Sequence, residues 1–342
     1  MLRAGLAASA ALFSAPLIAQ DVQPWTEAVV SVTDFGAVTG LLREVGDWRR
    51  THGGKVARAE LDYWRLPKTA QARFERWCAP AEVAGCIRLV RFTGVAQRPI
   101  RLATRAWDTG GIYSIMVRSD NVPALFDAAI ARGWWAESQP ISFAFGGSDL
   151  RNIVLTWPHG INIAVYQRIS PAFTAFPVGR ISRAFNSMRM VKHRPASRAF
   201  YEQKLGFSVR FDSNSEPAEP ASSNFGIPLN YTPQIKRGAA ALQPVAGLEY
   251  GRVEVMQIEG FTGGDVSAHA TPPNLGIVSV RYPVTDLSTY RAQLEARDVA
   301  VAYAANNVAV GGLGRVNLVA VRDPDGNITE FYEAVDIAGQ RQ

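Results

Sequence analysis

Histidine is scarce in this chain: 342 residues contain four, His52, His159, His193 and His269. That scarcity argues against a site built from clustered imidazoles. Cysteine is scarcer still. Cys78 and Cys86 are the only two, with Pro80 and Gly85 between them. In an oxidising compartment such a pair forms a disulfide. Metal binding is the weaker reading, because no histidine lies nearby. The net charge is +6, yet no run of five basic residues occurs, so nucleic acid is not an expected partner. A basic protein without such a run suits an acidic surface or an anionic small molecule. There is no Gly-x-Ser-x-Gly elbow, phosphate loop or CxxC pair. The glycines Gly311, Gly312 and Gly314 precede a strand and read as a turn.

No apolar run of 18 residues follows the first twenty, so the mature chain is expected to have no membrane-spanning helix. The start is different. Arg3 leads into a small, apolar stretch from Leu6 to Ala19. That pattern reads as a signal peptide over 1–20, cleaved after Ala19 or Gln20, and predicts a periplasmic or secreted protein. A buried N-terminal helix is the alternative. With 47% apolar and 19% charged residues, the remainder is globular, and its length predicts about two domains.

An internal repeat organises it. RLVRFTG at 88–94 matches EVMQIEG at 254–260, and GIYSIMV at 111–117 matches GIVSVRY at 276–282. SDNV at 119–122 matches VTDL at 284–287, and WPHG at 157–160 matches DPDG at 323–326. Each offset is 165 or 166 residues. The chain therefore reads as two halves, 21–170 and 181–337, joined by a linker at 171–180. Each half divides again into an alternating strand followed by helical spacing. Strands at 28–33, 112–117, 187–191 and 277–282 lead into helices at 35–50, 122–132, 196–205 and 287–297. Further strands at 87–92, 163–166, 253–258 and 328–332 close the four quarters. The polar, proline-bearing stretch 213–224 reads as a surface loop.

Two motifs carry a family resemblance. FYEQKLGF, from Phe200 to Phe207, and DPDGNITE, from Asp323 to Glu330, are similar to runs of the vicinal oxygen chelate superfamily, which includes glyoxalases, bleomycin-resistance proteins and extradiol dioxygenases. The resemblance covers about 27–335 and implies an α+β fold of four βαβββ modules paired into two curved mixed-sheet bowls. In metal-dependent members, first and last strands of each module offer ligands to one divalent ion.

Transferring those ligand positions gives Glu27, Arg88, Ser114 and Ala164 in the first half, where no metal site is expected and Glu27 and Arg88 would pair or hold a polar ligand. The second half gives Asn186, Glu254, Ser279 and Glu330. This set could hold a divalent ion (Mg, Mn, Ca or Zn) loosely. Without the two-histidine, one-carboxylate set, extradiol dioxygenase chemistry is not expected. Glyoxalase I chemistry is disfavoured by export away from cytoplasmic thiols.

Three readings of Glu254 and Glu330 stand: inherited scaffolding, metal ligation, or acid/base catalysis. If both face one cavity they repel, and one should titrate near neutrality. His269, in the connector before Ser279, is a candidate base that would swing into that bowl. His159 and His193 read as exposed turn residues. All eight tryptophans lie between Trp25 and Trp157, which core packing explains; an aromatic cleft in the first half is the alternative. The expected function is an exported protein that binds or transforms a small oxygen-rich or aromatic molecule. A lyase or isomerase using paired glutamates is one form, and a non-catalytic ligand-binding protein of the bleomycin-resistance type is the other. A small molecule is the expected partner, and a monomer is compatible with the sequence.

Overall fold

The computed structural model describes residues 22–102, 105–215 and 219–335. The leader reading falls on 1–20, outside the described residues.

Four times, an alternating strand feeds a helix and then three more strands. The opening strands are β1 (Glu27–Ser31), β5 (Ile112–Arg118), β9 (Asn186–Met190) and β13 (Gly276–Pro283). Their side chains are buried on both faces. The helices that follow are α1 (Gly36–Glu44), α3 (Val122–Ile130), α4 (Arg194–Ala199) and α5 (Leu287–Ala296). Three start at a side-chain cap: Asn121 accepts from the Ala124 amide, His193 from Ala196 and Asp286 from Thr289. Such caps satisfy amides that the first turn leaves open. The helix expected over 35–50 is shorter. It ends at Glu44, and β2 (Arg49–Lys55), an edge strand, takes up Arg49, Arg50 and His52.

The first module also holds an insert, α2 (Arg58–Tyr63). Its other strands are β3 (Gln71–Cys78) and β4 (Cys86–Thr93). The second module adds β6 (Ile141–Phe145), β7 (Ser148–Trp157) and β8 (Ile161–Ser170). The third adds β10 (Ser208–Ser215), β11 (Lys236–Gln243) and β12 (Arg252–Glu259). The fourth adds β14 (Val301–Val310), β15 (Gly314–Arg322) and β16 (Ile328–Ala334).

Two eight-stranded mixed sheets result, in the orders β14-β15-β16-β13-β1-β4-β3-β2 and β10-β11-β12-β9-β5-β8-β7-β6. The modules therefore pair one with four and two with three, through the antiparallel pairs β1–β13 and β5–β9. This corrects the expectation that each half of the chain forms its own bowl. Glu254 stands in one sheet and Glu330 in the other. Either pairing buries the same kind of opening strand, so hydrophobic pattern alone does not choose between them.

One core lies between helices and sheets and includes Leu41, Leu42, Leu125, Tyr201 and Leu294 with Ala28, Ile115, Val253 and Val280. Trp25, Trp48 and Trp134 belong to it, which favours the packing account of the tryptophans. The opposite sheet faces form two separate clusters, one per bowl. The two family-like motifs touch: Tyr201 donates its hydroxyl to Asp323 at 2.8 Å, and Asp323 also receives the Asn327 amide. Cys78 and Cys86 are disulfide-bonded across the β3–β4 connection.

Candidate functional site

The bowl of modules one and four is filled with charge. Register sets Glu27, Arg281 and Glu330 side by side on β1, β13 and β16. The Arg281 guanidinium donates to Glu330 at 2.5 Å, to Glu60 at 2.9 Å and to Glu27 at 3.1 Å. Arg76 donates to Glu27 at 2.9 Å, and Arg88 to Glu60 at 3.0 Å. Three carboxylates and three guanidiniums thus neutralise one another in the interior. Burial pushes the Glu27 carboxyl up, but Arg88, Arg281 and Arg76 outweigh it and hold it below the ordinary range. Trp64 donates to Glu330 at 2.9 Å, and Ser279 donates to it at 3.2 Å.

Glu60 and Trp64 come from the α2 insert and the residue that follows it. Arg88 is further held by the Gly311 carbonyl at 2.7 Å and lies 3.9 Å from the Phe74 ring centre. The β14–β15 turn thereby folds across the bowl onto β3. Of the expected site residues, Glu27, Arg88, Ser279 and Glu330 are brought together here. Of the two expectations for Glu27 and Arg88, direct pairing is not seen among the described residues: they are linked through Arg281 and Glu60. Glu60, Arg76 and Arg281 were missed. An acidic helix position and two arginines at strand positions carry no spacing signal that distinguishes them from a solvated face.

The bowl of modules two and three is different. Glu254, Met188, Ser114 and Asn162 form one register row across β12, β9, β5 and β8. Arg252, Asn186, Met116 and Ala164 form the adjacent row. Asn186 donates to Glu254 at 3.0 Å. Burial pushes Glu254 up to about 7, against the opposing pull of Asn186 and Arg252. Ser114 Oγ and Asn162 Nδ2 are buried and have no hydrogen-bond partner. Around these polar atoms lie Tyr113, Met116, Val154, Phe185, Met188 and Met190, with Tyr166 and Met256 packed against them.

Two segments cover this bowl, and both depart from expectation. The end of the stretch read as a surface loop turns inward, where Asn224 bonds Asn152 and Phe225 is buried. The stretch read as a linker buries Phe176 against Phe185 and Tyr250. An aromatic cluster is thus present; it draws mainly on phenylalanine and tyrosine from both halves, with Trp107 packed against it and its ring 4.7 Å from that of Phe261.

His269 lies on a short turn (Ser267–His269) between the third and fourth modules. It makes no hydrogen bond to Glu254 or Glu330 among the described residues; its backbone amide bonds the Val266 carbonyl and its carbonyl accepts from the Asn274 side chain. His193 caps α4 as an exposed residue, and His159 occupies a left-handed turn position.

Glyoxalase I from Zea mays is similar over 91% of this chain and 92% of its own, with 14% identity and a TM-score of 0.61. A point variant of that enzyme matches over 93% and 96%, again at 14% identity and a TM-score of 0.61. A putative dioxygenase from Bacillus subtilis matches over 92% and 86%, at 8% identity and a TM-score of 0.53. This chain has the vicinal oxygen chelate fold. No protein-family model matches the sequence, and no curated protein matches it. At these identities the likeness establishes the fold and leaves the activity to the site.

The vicinal oxygen chelate metal does not fit either bowl. In the bowl of modules one and four, arginines already engage the carboxylates, and Arg88 itself stands at a ligand position. In the other, the four positions are Ser114, Ala164, Asn186 and Glu254, which include a single carboxylate. Among the described residues, no group of three His, Cys, Asp or Glu could hold a metal ion. The joint site expected from Glu254 and Glu330 is therefore corrected: the two glutamates cannot share an ion or a proton when they occupy different sheets.

Proposed function

We propose that this protein binds a small aromatic or oxygen-bearing molecule in the bowl of modules two and three, without a metal, while the bowl of modules one and four is a closed structural unit. One observation carries the reading: Ser114 Oγ and Asn162 Nδ2 are buried without partners in the same register row as Glu254. A buried polar group left unsatisfied costs about 1–3 kcal/mol. Two such groups on an apolar, aromatic face mark a surface that a ligand or water completes. Glu254 protonated would donate a hydrogen bond to a ligand oxygen; ionised, it would accept one. Its value near 7 supports a second reading, in which Glu254 exchanges a proton with the bound molecule as a metal-free lyase or isomerase. Export belongs to the same proposal, supported by the leader-like residues 1–20 and by the Cys78–Cys86 disulfide.

The test is titration calorimetry of the purified protein with neutral monocyclic probes, phenol and catechol, alongside Glu254→Gln, Ser114→Val and Glu330→Gln. Binding that weakens at least tenfold in the first two variants and persists in a folded Glu330→Gln supports the reading. No binding, or binding lost only in Glu330→Gln, overturns it. Proton uptake by the wild type that Glu254→Gln abolishes would favour the second reading.

A further inference from the structure

The rim of the same bowl carries an excess of positive charge, buried at Arg118 and half-buried at Arg168. Strand β5 presents Ser114, Met116 and Arg118 on one face, with Arg118 last. Arg118 is 6% exposed. Its guanidinium lies 4.0 Å from the Phe173 ring centre and 4.7 Å from that of Phe185. Glu249 approaches it only to 3.9 Å, and already pairs with Arg252 at 3.0 Å and Arg210 at 3.4 Å. Arg168, on β8, lies 5.2 Å from the same Phe173 ring. The Nε atoms of both Arg118 and Arg168 are buried without a hydrogen-bond partner.

Between them is a cleft of about 260 Å³ lined by Arg118, Ser119, Asp120, Gln167, Arg168 and Phe173. Asp120 is engaged by Arg180 at 3.1 Å. Buried guanidiniums are ordinarily paired, because a desolvated charge left alone costs several kcal/mol. Here one shared carboxylate faces three arginines, Arg118, Arg210 and Arg252, and Arg168 has no ion pair among the described residues. Burial, then the neighbouring charge of Arg168, draws Arg118 down to about 10.

We propose that this cleft receives the carboxylate of a monocyclic aromatic acid, held by Arg118 and Arg168 with Phe173 as its apolar wall. This rests on the reading of the bowl as a ligand site and names the class of its ligand. A planar carboxylate matches the guanidinium fork, and the volume suits a single ring. Tyr166 pairs in register with Arg118 and feels the charges of both Arg118 and Glu254. The acid's anionic end is therefore recognised at the rim, and a second oxygen would lie toward Glu254.

Calorimetry with benzoate, salicylate and 4-hydroxybenzoate tests this, set against benzamide as the neutral isostere and inorganic phosphate as a plain oxyanion. At least one carboxylate is expected to bind tenfold or more tightly than benzamide and phosphate. Arg168→Met should weaken it about tenfold and leave benzamide unchanged; Arg118→Gln should do the same. If Arg118→Gln does not fold, the part-exposed Arg168 carries the test alone. Equal binding of benzoate and benzamide, tighter binding of phosphate, unaltered carboxylate affinity in Arg168→Met, or no carboxylate binding would each overturn the proposal. Phenol or catechol binding that depends on Glu254 would leave the bowl reading standing in that event; its loss as well would remove both.

Discussion

Arg281 Nε lies 2.5 Å from Glu330 Oε2, and the same guanidinium reaches Glu27 and Glu60. The glutamate of the DPDGNITE motif thus faces an internal cation. Burial works against the charge on Arg281, but Glu330, Glu60 and Glu27 together raise its affinity for the proton well above the ordinary arginine value.

Removing that cation leaves three buried carboxylates without their common partner. Arg281→Met is expected to lower stability by about 3–5 kcal/mol, the usual cost of breaking a buried pair from one side. Urea denaturation at pH 7 checks this; a loss below about 1 kcal/mol would show that the network does not hold the bowl together.

Glu254 predicts a pH dependence of the opposite sense to a salt-bridged acid. Its value rises from 4.5 in the free side chain to about 7 in the fold. Below 4.5 both folded and unfolded chains carry the proton. As pH rises toward 7 the unfolded chain ionises first, so its contribution to stability declines across that window, by about 3 kcal/mol in all. Glu254→Gln should flatten the fall. Denaturant midpoints measured between pH 4.5 and 8 would show the difference, and parallel curves for the two proteins would refute the assignment.

The disulfide closes a loop of sequence separation 8. A short loop limits the entropic gain, so the double variant Cys78→Ser, Cys86→Ser should lose about 2–3 kcal/mol. Calorimetric melting with and without reductant gives the comparison: reductant should lower the Tm of the wild type and leave the double variant unmoved.

Closure of the charged bowl depends on a close approach at Gly311. A Cβ there would lie 2.1 Å from Phe74 Cζ. Gly311→Ala should cost about 1–3 kcal/mol through overpacking. Adding Phe74→Leu should recover part of that loss if the ring is the obstacle; an additive loss in the double variant would point elsewhere.

Much of the local architecture was legible in residue order. The strand at 112–117 and helix at 122–132 correspond closely to β5 and α3, because alternation and helical spacing are written in neighbouring residues. Tyr201 and Asp323 marked the modules they belong to and proved to bond each other. The bowls were harder. Glu60 lies on an inserted helix and Arg281 on a strand whose every residue is buried or nearly so, where nothing in the spacing says which face meets a partner. The polar, proline-bearing composition of 213–224 points to an exposed loop and carries no sign that its end, Asn224, turns in to bond Asn152.

Residue order by itself determined four repeated modules, their strand and helix periods and the lack of a histidine ligand set, because these are local or compositional properties. Tertiary structure alone decided which modules join. Edge pairing of β1 with β13 and of β5 with β9 placed Glu330 among arginines and Glu254 among aromatic rings and methionines. The reason is physical: backbone hydrogen bonds between opening strands are indifferent to sequence, so the choice of partner rests on packing summed over both sheets, and each glutamate's chemistry follows from it.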